Sequence, residues 1–317
     1  MDVEAAFPAH GEAGDLLTAV LLAAGDPRGD APPTLLAPAM NDRMWAHPQT
    51  RRNVSHLREL GYHVLDPDEG MLAAGEGSGP GRMPEPEVIF AHVGRLLEPA
   101  TLAGRRVVVT AGGTREAVDP VRYLSNRSSG KMGVAIASAA WRRGADVTLI
   151  AAPLAVPPPT GVRLIDVETT DEMGTAVERA LAEADALVMA AAPADFRAAE
   201  PVGAKIKKAR APEALRLAPT RDILASTRAA RRPGTVVVGF ALETGDAVAA
   251  GRDKLESKAL DLVVVNDATE PGAGFAVDTN RVTLIGRDGR AESLPLMSKD
   301  DVAEAILDRV EALLGRS

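Results

Sequence analysis

Residues 106–113, RVVVTAGG, and residues 128–152, SSGKMGVAIASAAWRRGADVTLIAA, contain the pattern that decides the fold. The first segment is an apolar run that ends in a glycine turn, which predicts a buried strand. The second segment opens with Ser and Gly, keeps helical spacing as far as Gly144 and ends in another apolar run. It therefore predicts a helix followed by a second strand. A strand, a helix and a strand in this order are typical of a parallel sheet.

The same alternation continues over residues 162–268. It predicts an α/β fold with a Rossmann-like, mostly parallel sheet and helices on both faces. The predicted strands are VRLIDV, ALVMAAAP, TVVVGFA and DLVVVNDA, and the helices between them are DEMGTAVERALAEA, capped by Thr170, RDILASTRAARR and GDAVAAGRDKLESKA. Residues 274–296 alternate with period two around DTN and RDG turns, which predicts a C-terminal antiparallel hairpin extension. Amphipathic spacing predicts a last helix over 299–314.

A passage rich in Pro and Gly, residues 70–86, marks the best domain boundary. It precedes a short helical stretch over 87–97 and the sequence Glu98-Pro99-Ala100. We therefore predict a partial domain over 1–98 and an α/β domain over 99–317. The first 98 residues offer helical stretches over 11–24 and 47–61 and only two clear strands, TLLAPAM and YHVLDP. So few strands make a poor independent sheet.

Composition excludes several classes of protein. The 317 residues include no cysteine, which excludes disulfides, thiolate metal sites and cysteine nucleophiles. With 36 Lys and Arg against 44 Asp and Glu, the net charge of −8 gives no basic excess for binding nucleic acid. The longest apolar stretches, residues 16–24 and 186–194, are far shorter than the roughly 20 residues that cross a bilayer. We therefore expect a soluble, cytoplasmic protein that binds neither nucleic acid nor membrane.

Three segments at predicted strand ends or on a nearby helix are candidates for a binding site. The glycine turn over 110–116, TAGGTRE, follows a strand where open α/β sheets hold phosphates, although its spacing is not GxGxxG. SSGKMG does not satisfy the P-loop pattern either. The basic loop EPVGAKIKKAR, residues 200–210, would leave the same sheet edge, and Lys254 and Lys258 lie four residues apart on one helix. Spacing alone leaves open an anion or nucleotide site on one side, and a tight turn, a solvated loop and an ordinary helix face on the other.

A set of motifs carries a resemblance to a known family. In order they are TAGGTREAVDPVRYLSNRSSGKMG, AAAPADFR, KIKK, PTRDILA, VGFALETGD and KLESKALDLVVVND. Together they resemble the phosphopantothenate–cysteine ligase half of the bacterial bifunctional coenzyme A biosynthesis proteins. The first 98 residues resemble the C-terminal part of the flavodoxin-like decarboxylase half of that family, through GEAGDLLT, APAMNDRMWAHP and GMLAAGEGSGPGRMPEPE.

The ligase resemblance implies a two-step acyl activation. The carboxylate of 4′-phosphopantothenate would attack the α-phosphate of CTP, presented with Mg²⁺, and release pyrophosphate. The amine of L-cysteine would then displace CMP from the acyl-cytidylate. Such a reaction needs charge neutralisation and shielding from water more than side-chain acid–base work. The choice of CTP over ATP stays open at this stage.

The resemblance also implies roles for particular residues. Asn126 would hold the acyl-cytidylate, Arg122 would assist the second step, and Lys205 would stabilise the α-phosphate transition state. Asp195 would contact Mg²⁺ or the ribose. The nucleotide site would comprise Gly112, Gly113, Met189, Ala190, Ala191, Asp195, Lys205, Arg221, Asp222, Ile223, Leu224, Phe240, Lys254 and Lys258. From spacing alone, a turn or helix-cap role is favoured for Asn126, and Phe240, at the end of a buried strand, could be a core residue. The resemblance further implies a homodimer through residues 274–294 and the Asn266-Asp267 region.

The decarboxylase resemblance is incomplete. Its family uses a cysteine in LACG as the acid that protonates an intermediate formed on FMN, whereas this chain reads Leu72-Ala73-Ala74-Gly75. Asn41 is kept, but a flavin-phosphate loop is not found, so we expect neither FMN chemistry nor decarboxylation from this chain alone. The region could be a scaffold remnant, part of a longer gene product or a subunit of a mixed assembly. Rival functions are a non-catalytic partner protein and, with less support, an NAD(P)-dependent oxidoreductase.

Overall fold

The computed structural model describes residues 14–29, 31–73, 75, 77–208, 214–243, 246–267 and 277–315. The chain divides into two compact units, unit 1 over residues 1–98 and unit 2 over residues 99–317. In the described ranges, no helix combines the length and the apolar character that a membrane span requires.

Unit 1 is built from short elements. Its helices are α1 Leu16–Ala23, α2 Asp42–Ala46, α3 Pro48–Glu59 and α4 Pro86–Leu97, and its strands are β1 Leu35–Leu36, β2 His63–Val64, β3 Asp68–Met71 and β4 Ser78–Arg82. The helical stretches expected over 11–24, 47–61 and 87–97 correspond to α1, α3 and α4. Strands β1 and β2 form a two-stranded parallel pair, and Leu57 and Tyr62 are buried beside it.

The Pro- and Gly-rich passage of unit 1 is a hairpin, not only a boundary. Strands β3 and β4 pair antiparallel from Asp68 to Arg82, within the passage whose composition indicates a domain boundary. The strand is possible because Gly79 and Gly81, the buried positions of β4, leave room for the neighbouring chain. Met40 donates its backbone N–H to the Gly81 carbonyl at 2.9 Å. A glycine-rich composition therefore hid a strand that packs closely against another backbone.

Unit 2 contains the large sheet. Its helices are α5 Lys131–Arg142, α6 Thr170–Leu181, α7 Ile223–Ser226, α8 Ala247–Ser257 and α9 Lys299–Leu314. Its strands are β5 Arg106–Ala111, β6 Arg115–Ala117, β7 Tyr123–Ser125, β8 Asp146–Ala151, β9 Arg163–Asp166, β10 Ala186–Met189, β11 Phe196–Ala198, β12 Leu217–Pro219, β13 Val236–Glu243, β14 Leu262–Asp267, β15 Thr279–Asn280, β16 Val282–Gly286, β17 Ala291–Ser293 and β18 Met297–Ser298.

Eight strands form one sheet in the order β17-β16-β14-β13-β10-β5-β8-β9. The six strands from β14 to β9 in this order are parallel, and β16 and β17 are antiparallel. The predicted α/β fold with a mostly parallel sheet is thus confirmed, as is the change to antiparallel pairing near the C-terminus. The parallel strands read as almost unbroken Val, Ile, Leu and Ala, because helices cover both faces.

Helix α5 lies unusually close to β5. A Cβ at Gly133 would be 2.6 Å from the Cβ of Ala111 and 2.7 Å from the carbonyl oxygen of Thr110. The small residues Ala137 and Ala140 follow on the same helix and are fully buried. Since no larger side chain fits at Gly133, this contact determines how deeply the helix sits on the sheet.

Helix α9 is held against α5 by Arg143, the residue that follows α5. Its guanidinium donates to Glu304 at 2.9 Å and to Glu311 at 2.8 Å, and it lies 2.8 Å from Asp308. Burial lowers the pKa of Arg143, but these three carboxylates outweigh it and raise that pKa above its ordinary value. The ion-pair cluster is partly buried, and it joins the middle and the C-terminal half of α9 to the end of α5.

Two local predictions in unit 2 were wrong. Thr169, not Thr170, caps α6, because its hydroxyl accepts the N–H of Glu172 at 3.2 Å in a capping box. The predicted helix RDILASTRAARR is only the single turn α7 followed by a 3-10 turn. There the Ile223 carbonyl accepts both the Thr227 hydroxyl at 2.6 Å and the Thr227 backbone N–H at 3.0 Å, and the α-helix ends at this residue.

We expect Gly133→Val to lower the free energy of unfolding by about 2 kcal/mol or more, because the new side chain meets backbone that cannot move aside. Gly203→Val is the matched control, since a Cβ there meets nothing within 4 Å. Urea unfolding of both variants measures the difference. Equal stability of the two variants would contradict the proposed constraint at Gly133.

Candidate functional site

The candidate site lies at the carboxyl edge of the unit 2 sheet. From β5 the chain proceeds to β8 and β9 on one side, and from β10 to β13 and β14 on the other. The order therefore reverses between the neighbours β5 and β10, and open α/β sheets bind ligands in the crevice at such a point. Gly112 turns the chain out of β5 with a φ of +82°, where a Cβ would be 2.5 Å from the Ala152 carbonyl oxygen.

Two clefts open at this edge, each with a volume of about 390 Å³. The first cleft is lined by residues 126–132, 190–193, 195 and 240–242, and by Lys254, Asn266, Asn280 and Lys299. The second is lined by Met189, Ala191, residues 193–195 and 220–224, Phe240, Lys254 and Lys258. The two share five residues, Ala191, Pro193, Asp195, Phe240 and Lys254, which we call the shared wall. Each volume falls in the usual range for small-molecule sites.

A buried network of hydrogen bonds holds the turn that contains Pro193 and Asp195 of the shared wall. Glu116 accepts hydrogen bonds from the backbone N–H and the hydroxyl of Thr170, both at 2.8 Å. The hydroxyls of Thr170 and Thr114 are 2.9 Å apart, and Thr114 accepts the N–H of Ala194 at 2.8 Å. This network fixes the turn that carries Asp195, and its satisfied hydrogen bonds make the turn rigid.

Most residues predicted for nucleotide binding meet at the second cleft. Its lining includes Met189, Ala191, Asp195, Arg221, Asp222, Ile223, Leu224, Phe240, Lys254 and Lys258, and Ala190 lines the first cleft. Phe240 is only half-buried and contributes to both clefts. Gly112 and Gly113 lie beneath the clefts, and Gly113 bridges to Ala192 beside the shared wall.

The cations of the second cleft are already arranged by protein contacts. Lys254 donates to the Phe240 carbonyl oxygen at 2.6 Å, and Lys258 forms an ion pair with Asp222. Arg221 contacts Glu178 at 2.9 Å and Ser226 at 2.7 Å. Burial raises the pKa of Asp222, but Lys258, the N–H of Ala225 and Lys254 together hold it below its usual value.

The three residues with predicted catalytic roles occupy two places. Asn126 lines the first cleft and donates its side-chain amide to the Pro193 carbonyl at 2.8 Å. Arg122 and the exposed Lys205 are not among the residues that line the two clefts. They lie on two loops that contact each other, since the Arg122 guanidinium donates to the Ile206 carbonyl at 3.2 Å. The basic loop over 200–210 contacts the segment that follows the TAGGTRE turn, since Val202 N–H donates to the Val118 carbonyl at 3.1 Å.

Sequence analysis missed the polar end of the first cleft. Lys131, the first residue of α5, lies 2.6 Å from Asp278, and Lys299, the first residue of α9, donates to the Val277 carbonyl at 2.5 Å. Burial and the charge of Lys131 lower the pKa of Lys299, against the opposing effect of Asp278. Oδ1 of Asn266 is buried and has no hydrogen-bond donor among the described residues. The only sequence signal was a lysine at the start of each helix.

The residues predicted to contact Mg²⁺ or to belong to a decarboxylase site are Asp195, Asn41 and Ala74. In the described ranges, no three His, Cys, Asp or Glu side chains come together as a metal site. Asp195 is the one carboxylate among the described residues that lines both clefts. Mg²⁺ is commonly held by one or two carboxylates together with substrate phosphates, so this residue fits such an ion. In unit 1, Asn41 caps α2 by accepting the Arg43 N–H at 3.0 Å. Ala74, residues 274–276 of the predicted dimer surface and the Asp267 side chain lie outside the described residues.

Comparison with known proteins places both units. Residues 102–314 match the family described as DNA/pantothenate metabolism flavoprotein C-terminal domain, and residues 8–98 match the family described as Flavoprotein. The chain is 46% identical over 322 residues to the coenzyme A biosynthesis bifunctional protein CoaBC of Mycobacterium tuberculosis (strain CDC 1551 / Oshkosh), covering 96% of this chain and 75% of that protein. The protein of the same name from Bacillus subtilis (strain 168) is 42% identical over 309 residues, with 96% and 74% covered.

A solved structure agrees with these matches. The crystal structure of the C-terminal domain of a coenzyme A biosynthesis bifunctional protein CoaBC aligns with a TM-score of 0.59 and 34% identity. The alignment covers 69% of this chain and 100% of that domain.

We expect Lys254→Met to weaken the binding of inorganic triphosphate about tenfold or more, because a charge-assisted hydrogen bond contributes about 1.5–3 kcal/mol. Arg252→Met on the same helix is the control, since Arg252 contacts the Gly289 carbonyl instead. Isothermal titration calorimetry measures both affinities. The same loss in the two variants would argue against a specific anion site at the shared wall.

Proposed function

We propose a function from one premise: the chain belongs to the family of bifunctional coenzyme A biosynthesis proteins. It is an enzyme of that pathway and carries the ligase domain of the family. The activity proposed for unit 2 is that of a phosphopantothenate–cysteine ligase. It joins 4′-phosphopantothenate to L-cysteine and converts CTP to CMP and pyrophosphate.

The shared wall is the observation that carries this proposal. A ligase that activates an acid with a nucleotide must hold two anionic substrates side by side, with the carboxylate facing the α-phosphate. Two clefts that meet at Asp195, Phe240 and Lys254 provide this arrangement. In the first step, a carboxylate oxygen bonds to the α-phosphorus and the bond to pyrophosphate breaks. In the second, the cysteine amine bonds to the acyl carbon, and CMP leaves with that oxygen.

CTP would occupy the second cleft. Lys254, Lys258 and Arg221 supply positive charge for the triphosphate, and the backbone of 221–224 borders the base or ribose. Mg²⁺ bound at Asp195 would neutralise phosphate charge as the α-phosphorus is attacked. Lys205 would stabilise the charge that develops on the α-phosphate.

4′-Phosphopantothenate would occupy the first cleft. Lys131 and Lys299 suit its phosphate, and Asn266 Oδ1, buried without a donor among the described residues, suits a hydroxyl or amide N–H of the pantothenate chain. Asn126, fixed by its bond to the Pro193 carbonyl, would hold the acyl group at the meeting point of the clefts. We also propose a homodimer through the antiparallel extension, where the three residues of β17 form an exposed sheet edge.

The ligase assay follows pyrophosphate release with CTP, 4′-phosphopantothenate and cysteine. We expect turnover by the wild type and at least a hundredfold loss in Lys205→Ala, because removing one group that stabilises the transition state typically costs about 10²–10³ in kcat. We expect Asn126→Asp to lower product formation as well, because a carboxylate cannot donate to the Pro193 carbonyl that fixes residue 126. Absence of turnover in the wild type would contradict the ligase assignment and favour a non-catalytic partner.

For unit 1 we propose that this chain alone does not decarboxylate phosphopantothenoylcysteine. Residues 8–98 match the Flavoprotein family, which is consistent with a fold that binds FMN. The proposal therefore does not concern FMN binding but only the group that would donate a proton at residue 74. That residue is Ala, and the chain contains no cysteine elsewhere to supply a proton.

We expect no CO₂ release when the purified protein is incubated with FMN and phosphopantothenoylcysteine, since the acid step has no donor at residue 74. Trapping of labelled CO₂ measures the reaction. The Ala74→Cys variant assayed beside it shows whether the acid alone is missing. FMN-dependent CO₂ release by the wild type would refute the proposal.

A further inference from the structure

Asp119 is a buried carboxylate between two loops of the candidate site. Asp119 is only 3% exposed and lies in the turn between β6 and β7. Oδ1 accepts the backbone N–H groups of Val121 at 2.8 Å and Arg122 at 2.9 Å. Those two bonds form an ordinary Asx-type turn and need only one carboxylate oxygen.

The second oxygen of Asp119 has a different partner. Oδ2 accepts the N–H of Ile206 at 3.2 Å, across 87 residues of sequence, and lies 3.3 Å from Nη1 of Arg122. Nη2 of Arg122 in turn donates to the carbonyl of the same Ile206 at 3.2 Å. The backbone of Ile206 is therefore held at both its N–H and its C=O by one ion pair.

Ile206 directly follows Lys205. The segment from 201 to 207 has no regular secondary structure, and the Lys205 side chain is exposed without a hydrogen-bond or ion-pair partner in the described ranges. Its position therefore depends on the backbone that carries it. The hydrogen bonds from Asp119 and Arg122 to Ile206, which we call the clamp, join the residue next to Lys205 to the β6–β7 turn.

The charge on Asp119 is maintained by its surroundings. Burial raises the pKa of its carboxyl, but the N–H groups of Val121, Ile206 and Arg122 and the charge of Arg122 outweigh it, so that pKa lies below its usual value. A charged carboxylate offers an acceptor at both oxygens, which the clamp needs.

We propose that Asp119 is a positioning residue that sets Lys205 over the nucleotide by holding the backbone of Ile206. The inference rests on the proposed ligase function, in which Lys205 acts at the α-phosphate. Arg122 has the same positioning role, because its guanidinium pairs with Asp119 and donates to the Ile206 carbonyl.

Asp119→Asn tests the proposal, because an amide NH₂ at the place of Oδ2 would face two donors while Oδ1 keeps the turn. We expect kcat to fall about 10- to 100-fold with the KM for CTP changed little, since a misplaced catalytic group costs rate more than binding. In a Lys205→Ala background the same change should cost less than about threefold, because coupled residues are not additive. Equal losses in both backgrounds, or a wild-type rate in Asp119→Asn, would overturn the proposal.

A second readout does not depend on activity. Trypsin cleavage after Lys207 or Lys208 should be faster in Asp119→Asn and in Ile206→Pro, which removes the N–H donor instead of its acceptor. Cleavage after Lys205 is compared only between the wild type and Asp119→Asn, because trypsin does not cleave a Lys–Pro bond. Asp261→Asn is the matched control, because Asp261 is a partly buried carboxylate that accepts the Val237 N–H at 2.8 Å at the opposite edge of the sheet. Unchanged cleavage in both loop variants would refute the clamp. Absent turnover in the wild type would refute only the ligase function.

Discussion

The close contact of α5 with β5 at Gly133 is the constraint on which the rest of unit 2 depends. Because a Cβ at Gly133 would not fit between the helix and Ala111, the N-terminal end of α5 packs directly against the end of β5. The glycine turn at Gly112 and the loop that carries Asn126 are placed by the same contact. Through Arg143, α5 also orients α9, which brings Lys299 to the polar end of the first cleft. One steric fit in the core thus determines the geometry of a site formed by loops.

The chemistry of the site is electrostatic, and its groups are arranged before any ligand enters. Lys254 and Lys258 are held by a carbonyl and a carboxylate, and the turn of Asp195 rests on the Thr114 and Glu116 network. Such preorganisation lets an enzyme stabilise developing phosphate charge without rearranging its own dipoles. It suits a reaction in which two anions must meet and an anhydride must form, and it explains why few acid–base groups are needed.

The sequence was informative where a pattern is local. The helix over 299–314, the strand ending at Ala111 and the parallel order of the sheet all follow from apolar periodicity and glycine turns. It failed where packing decides. The passage around Gly79 and Gly81 indicates only a domain boundary, because the residues against which these glycines pack, Asp42 and Met40, lie far away in the chain. Thr169 replaces Thr170 as the cap because the Thr170 hydroxyl belongs to a buried network. The contact of Asp119 with Ile206 could not be predicted from the sequence for the same reason, since it joins residues 87 positions apart.

We propose that the acid and the nucleotide meet at the shared wall, where one carboxylate oxygen is transferred to the α-phosphorus. Phosphopantothenate labelled with ¹⁸O in its carboxylate tests this directly, with the products of a complete turnover analysed by mass spectrometry. If the carboxylate attacks the α-phosphorus, one labelled oxygen must leave with CMP, and pyrophosphate must carry none. Label in inorganic phosphate, with CDP as the other product, would show attack at the γ-phosphorus and contradict the account.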